Sequence, residues 1–223
     1  KVGHFVTANY ISRLGYHTYR WSGVDEKRSA WFGAGLGFAY LLNIELLDAF
    51  SAGWGFSPGD LTANTLGIST FLAQQLVWGE QRFSFKYSFH RSSYPPFRPD
   101  LLGKNLIQEM VKDYNGQSYW LSVNISSFLP ERSKFPGWLN FAAGYGAEGM
   151  VGANTSGTPP AQLPVGIRPY RQFYLSLDID LTRIPTNKSW LKTLFTVFSF
   201  IKIPAPAVEF NTLGEIRFHP IYY

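Results

Sequence analysis

The chain has 223 residues, of which 17% are aromatic and only 16% are charged, and it contains no cysteine. The missing cysteines exclude a disulfide framework and a thiolate metal site. The net charge of +5 comes from scattered lysines and arginines, so we expect no nucleic-acid partner. Aromatic rings favour the boundary between membrane and water, and this composition therefore favours a chain that meets lipid or a large partner surface. The sequence opens on Lys1 instead of Met, and we expect upstream residues to have been removed or left out.

The first two predicted helices lie before residue 51. In the first helix, His4, Ala8 and Gly15 share one face, and the helix breaks at residues 21–23. The second helix runs from about residue 25 to about residue 50 and contains the close-packing spacing Gly33-x-x-x-Gly37. Its apolar run is too short to span a bilayer before polar residues interrupt it, so we expect a helix that is buried in protein or grazes a membrane.

A third helix is predicted from the capping sequence Ser57-Pro58-Gly59-Asp60. Serine is a preferred N-cap, and proline is favoured at the first helical position. The helix is expected to end near residue 78. Residues 1–79 therefore form a helical region, and residues 80–223 form a second region of different character.

After residue 80 the apolar pattern repeats every second residue, which is typical of antiparallel strands. Five strands are clear, with two further candidates, and the clearest alternates apolar residues with polar ones from Phe173 to Leu181. Asp178 and Asp180 on its polar side would suit a wet lumen, because strict alternation over about ten residues is also typical of outer-membrane barrels. The predicted fold is α+β: three N-terminal helices followed by an antiparallel, aromatic-rich sheet or a small outer-membrane β-barrel. A soluble sheet with one wet face is the alternative.

Three other segments complete this region. One further helix is predicted between Leu101 and Tyr114, and residues 187–200 fit either a helix or a strand. The Gly/Pro/Thr-rich loop between Gly152 and Gly166 is long enough to predict a mobile or functional segment.

Five polar residues of the helical region are candidate site residues: His4, Glu45, Asp48, Asp60 and Asn64. Glu45 and Asp48 are three residues apart, and Asp60 and Asn64 are four apart, so each pair lies on one helix face. Buried carboxylates are unfavourable unless they are paired, and His4 is placed to complete the cluster. The residue types fit a structural lock, a general acid–base site or a ligand site. We expect no metal, because the four histidines are dispersed and form no His-x-x-x-His pair, and no cofactor motif is present.

These residues carry a family resemblance. The pattern Lys1-x-x-His4-Phe5, then Glu45-x-x-Asp48, then Ser57-x-x-Asp60-x-x-x-Asn64, resembles the YfiM-like lipoproteins of Gram-negative bacteria, over residues 1–78 only. The same order of residues is distantly similar to VanZ-like membrane proteins. The β-rich remainder resembles outer-membrane extensions of Bacteroidota proteins. The resemblance implies an envelope location and names no reaction.

The leading functional hypothesis is a non-enzymatic accessory subunit of an envelope complex for outer-membrane assembly, secretion or transport. It would lie in the outer membrane, with the helical unit facing the periplasm, and its partners would be lipid and other outer-membrane proteins. Two alternatives remain open. One is a VanZ-like envelope enzyme that acts on lipid or peptidoglycan through the cluster around Glu45. The other is a soluble periplasmic binding module with residues 152–166 as a lid.

Overall fold

The computed structural model describes residues 1–50, 55–130, 132–151 and 167–223, so the predicted loop 152–166 lies outside the described residues. The chain forms two compact units. The first comprises Lys1–Phe85 and Pro185–Phe200, and the second comprises Lys86–Ile184 and Ile201–Tyr223.

The first unit is built on three long helices, as the sequence predicts. They are α1 (Val2–Trp21), α2 (Glu26–Ala49) and α3 (Pro58–Trp78). Asp25 and Ser57 cap α2 and α3 by accepting bonds from backbone N–H groups. Among the described residues, α2 alone has the length and hydropathy of a membrane span, and one third of that stretch is buried. Core helices and signal sequences meet the same criterion.

Glycines let α1 approach its neighbours closely. A Cβ atom at Gly33 of α2 would lie 2.5 Å from the Ser12 carbonyl oxygen and 2.6 Å from the Tyr16 nitrogen of α1. A Cβ at Gly67 of α3 would collide with the Phe5 carbonyl. The small-residue spacing seen in the sequence therefore serves helix packing.

Replacing Gly33 with alanine is expected to lower the free energy of unfolding by about 1–3 kcal/mol, because the added methyl group forces α1 and α2 apart. Gly35 is the matched control. It lies on the same helix, and a Cβ added there would meet no atom within 4 Å, so Gly35→Ala should stabilise by up to about 1 kcal/mol through helix propensity. Urea denaturation measures both, and equal stability of the two variants would contradict this account of the packing.

The second unit contains most of a six-stranded antiparallel sheet with strand order β1-β2-β3-β4-β5-β6. The strands are β1 (Phe83–Phe89), β2 (Gln117–Asn124), β3 (Leu139–Glu148), β4 (Tyr170–Ile179), β5 (Ala205–Asn211) and β6 (Ile216–Tyr222). Every strand pairs with its neighbour along the chain. Among the described strands the sheet is open, with β1 and β6 as its two edges, so the predicted alternative of a closed barrel is wrong.

Three short helices lie among the strands. The single helix expected over 101–114 is two, α4 (Pro99–Leu102) and α5 (Leu106–Lys112), because Gly103 adopts a positive φ of 110° between them. The ambiguous stretch 187–200 contains a helix, α6 (Ser189–Val197). It belongs to the first unit, where the Tyr10 hydroxyl donates to the Val197 carbonyl and the rings of Tyr10 and Phe200 are 4.7 Å apart.

The two faces of the sheet are reversed relative to a soluble protein. Along β4 the buried residues are polar or hydroxyl-bearing, namely Gln172, Tyr174, Ser176 and Asp178, and the alternate leucines and phenylalanine are exposed. The strand register places the exposed side chains in continuous apolar rows such as Phe141–Leu177 and Phe173–Phe210–Ile216. This arrangement differs from the alternative of a soluble sheet with one wet polar face, since the polar face is the buried one.

The polar face is concave, because side chains meet across strands that are not neighbours. Ser118 of β2 and Tyr222 of β6 are hydrogen-bonded through their hydroxyl groups at 3.0 Å. Gly144 of β3 leaves room for a buried aromatic ring, since a Cβ there would lie 2.7 Å from the Trp120 ring. The glycine at position 144 is thus explained by packing against an aromatic ring.

Candidate functional site

The candidate site lies where the three long helices meet. His4 is in the first turn of α1, Glu45 is near the end of α2 and Asp60 is in the first turn of α3. His4 Nδ1 is 3.3 Å from Glu45 Oε1, and His4 Nε2 is 3.7 Å from Asp60 Oδ1. The imidazole ring therefore lies between two carboxylates, as the sequence hypothesis proposed for these three residues.

Packing between α1 and α3 positions these groups. The buried Asn9 side chain donates to the Gly67 carbonyl at 3.1 Å, at the same place where Gly67 admits the α1 backbone. The relative positions of His4 and Asp60 therefore depend on the close approach of α1 and α3. Nothing in the sequence pattern singled out Asn9, because a lone asparagine on a helix face has no distinctive spacing.

Lysine and serine side chains hold the Asp60 carboxylate. Lys1 Nζ lies 2.7 Å from Asp60 Oδ2 and donates to Ser57 Oγ at 2.6 Å. Partial burial acts to raise the pKa of Asp60, but hydrogen bonds from Lys1 and Ser57 and the charges of His4 and Lys1 outweigh it, so the pKa lies below its usual value. Asp60 is therefore an ionised carboxylate at neutral pH.

Several buried polar atoms of the cluster lack a hydrogen bond. Glu45 and Asn64 are each 1% exposed. Among the described residues, Glu45 Oε1, His4 Nδ1 and both amide atoms of Asn64 have no hydrogen-bond partner. Such atoms are rare in folded proteins, and each one points to a bound group or an internal water. Asn64 lies one turn after Asp60 on α3, whereas Asp48 is only partly buried and is not part of the His4–Glu45–Asp60 group.

A second histidine of α1 makes the helical unit sensitive to acid. Burial, reinforced by the charge of Arg13, lowers the pKa of His17 from 6.5 to about 4. The unfolded chain therefore binds this proton at a higher pH than the folded chain. The contribution of His17 to stability is complete above pH 6.5 and is lost as the pH falls towards 4.

Replacing His17 with glutamine is expected to reduce the loss of unfolding free energy between pH 7 and pH 4 by about 2 kcal/mol. Urea denaturation of both proteins at the two pH values measures this difference. Identical pH dependence of the two proteins would contradict the assigned role of His17.

A buried charge cluster lies on the concave face of the sheet. Lys86 Nζ of β1 is 2.6 Å from Asp178 Oδ2 of β4, and both side chains are at most 1% exposed. Ser122 donates to the same carboxylate oxygen at 2.6 Å. Lys202 Nζ lies 3.9 Å from Asp178 Oδ1 and donates to the carbonyls of Leu177 and Ile203. Two lysines thus share one buried aspartate.

A cavity of about 270 Å³ lies on the same face. His219 Nε2 is 2.8 Å from Glu209 Oε2, and Gln172 donates to both Glu209 and Glu148. Glu148, Glu209 and His219 are not among the site residues predicted from the sequence. The signal was present in the alternation, because each of them lies at a position that faces the polar side of its strand, as Asp178 does.

Comparison with known proteins concerns the helical region. Residues 1–74 match the model of a family described as predicted periplasmic lipoprotein (DUF2279). The matched range contains His4, Glu45, Asp60 and Asn64 and ends in the last turn of α3. No curated protein and no solved structure matches the chain. The segment that carries the helical site is therefore similar to an uncharacterised family of predicted periplasmic lipoproteins.

Proposed function

We propose that this protein is a non-enzymatic outer-membrane accessory subunit of an envelope complex, with its sheet in contact with lipid and its helical unit in the periplasm. We also propose that residues 1–78 are related to YfiM-like lipoproteins and, more distantly, to VanZ-like proteins. We further propose that the protein comes from a member of the Bacteroidota. The match to a predicted periplasmic lipoprotein family supports an envelope location.

The observation that carries the proposal is the apolar outer face of the sheet. Leu175 is 58% exposed and Phe218 is 67% exposed, and their neighbours across the strands are also apolar. Soluble proteins rarely expose such a continuous apolar surface. Polar residues inside and apolar residues outside are the arrangement of proteins whose strands face lipid.

The open edges of the sheet are evidence in favour of a partner protein. Backbone groups at a sheet edge cannot stay unpaired in the hydrocarbon region of a bilayer. The edge of β1 that faces away from β2 is covered at one point, where Tyr87 forms a bridge with Ile201. Among the described strands, β6 pairs with β5 alone. An edge of this kind calls for a strand from another chain or for a covering subunit, which favours a complex over an isolated protein.

Extraction of outer membranes tests the location, and a pull-down in mild detergent tests the complex. We expect the protein to resist sodium carbonate and urea, to dissolve in detergent, and to co-purify with a stoichiometric set of outer-membrane proteins. Release by carbonate without detergent would contradict lipid contact. A protein that purifies alone from native membranes would contradict the subunit role.

The unsatisfied atoms around Glu45 favour an envelope enzyme acting on lipid or peptidoglycan as the second candidate function. In that case His4 and the two carboxylates would form its acid–base site. Purification of a lone protein would favour this candidate. The exposed apolar face argues against the soluble binding module, because that module would have to expose the face to water.

A further inference from the structure

We propose that His4, Glu45 and Asp60 bind one divalent metal ion of the zinc class. This inference is independent of the proposed membrane role. It concerns the helical unit alone, and the sequence pattern favoured no metal because it lacks paired histidines.

The positions of the donor atoms fit an ion. One donor atom from each of the three residues lies within 4.8 Å of the other two. Zinc bonds to nitrogen and oxygen are about 2.0–2.2 Å long and zinc sites are tetrahedral, so two ligand atoms of one ion are about 3.3–3.6 Å apart. The group therefore closes around an ion through side-chain movements of less than about 1 Å.

The burial of the donors supplies a second, separate observation. Glu45 is 1% exposed, and its Oε1 atom faces His4 without forming a hydrogen bond. A buried carboxylate is unfavourable unless it is paired or coordinates a metal. Among the described residues, the buried amide of Asn64 also has no hydrogen-bond partner, and Asn64 lies one turn beyond Asp60 on α3.

The donor types select the class of ion. An imidazole nitrogen with two carboxylate oxygens suits zinc or a similar transition-metal ion better than calcium or magnesium, which prefer oxygen ligands alone. Lys1 occupies Asp60 Oδ2, which leaves Oδ1 directed at His4. The two carboxylates and the ammonium group together carry one negative charge. This charge attracts a divalent cation, and the site with the ion bound carries a net charge of only plus one.

Calorimetric titration of the metal-free full-length chain with Zn²⁺, in detergent and after treatment with EDTA, tests the proposal. We expect one ion per chain, and we expect Glu45→Gln to weaken binding by about 100-fold or more, since loss of an outer-shell group alone costs 10–100-fold. Asp48→Asn on the same helix is the matched control and should bind as the unaltered protein does. Mg²⁺ and Ca²⁺ should not compete at equal concentration.

A second variant distinguishes loss of metal binding from loss of folding. Asp60→Asn keeps the Ser57 cap and removes one ligand charge, so it should fold and should also lose affinity. Zn²⁺ should raise the melting temperature of the unaltered chain and of Asp48→Asn, but not that of the two ligand variants. Absence of saturable Zn²⁺ binding, or equal binding by Glu45→Gln, Asp60→Asn and Asp48→Asn, would overturn the proposal.

Discussion

Replacing Asp178 with asparagine is expected to lower the free energy of unfolding by about 3–5 kcal/mol, because it leaves buried ammonium groups without their counter-charge. Lys86 and Lys202 are each 1% exposed, and Asp178 is the carboxylate that faces both of them. The asparagine side chain has almost the same shape as aspartate, so the loss of unfolding free energy is caused by the missing charge and not by a change in packing. Urea denaturation in detergent micelles measures it.

The surface pair Asp100–Lys104 provides the control for this prediction. Its atoms are 2.7 Å apart, close to the 2.6 Å of the buried pair, but both of its side chains are exposed. Asp100→Asn should change stability by less than about 1 kcal/mol, since exposed ion pairs contribute little. If Asp178→Asn cost no more than Asp100→Asn, the buried lysines would not depend on this aspartate. With the expected loss, adding Lys86→Met to Asp178→Asn should recover part of the stability, because it removes one of the unpaired buried charges.

Replacing Leu175 with arginine is expected to destabilise the membrane-inserted protein by about 2–4 kcal/mol, because a charge on a lipid-facing strand is unfavourable near the bilayer midplane. Leu175 lies in the middle of β4, with Phe173 and Leu177 beside it on the outer face. Folding into lipid vesicles from urea measures the change. In a water-exposed sheet the same substitution would be nearly neutral.

Leu213→Arg is the matched control, since Leu213 is exposed in the turn between β5 and β6 and is not on the sheet face. It should fold into vesicles nearly as well as the unaltered protein. Equal behaviour of the two leucine variants would contradict lipid contact by the outer face of β4.

Local patterns predicted most of the fold. The cap at Ser57 and the break at residues 21–23 place the three long helices correctly, because helix ends depend on nearby residues. The strand β5 was missed, since Pro204 and Pro206 disguise its alternation. Closure of the sheet could not be predicted, because it depends on contacts between strands far apart in the chain.

The candidate site was predictable in part for a similar reason. Spacing places Asp60 and Asn64 on one helix face, and the short connection expected between the second and third helices favours a position of Glu45 near them. Spacing also grouped Asp48 with Glu45, but three residues along a helix correspond to a rotation that leaves Asp48 partly exposed. The cluster on the concave face was missed, because the sequence does not reveal which face of a sheet is buried.

Single-cysteine scanning of β4 in lipid vesicles tests the lipid contact of the sheet most directly, and the natural absence of cysteine makes every label specific. A fluorophore would be attached in turn at the positions of the six residues from Gln172 to Leu177. We expect brominated lipids to quench the labels at 173, 175 and 177 and to leave the labels at 172, 174 and 176 unquenched. Uniform access of a water-soluble quencher to all six positions, or quenching by lipid at the even positions, would contradict it.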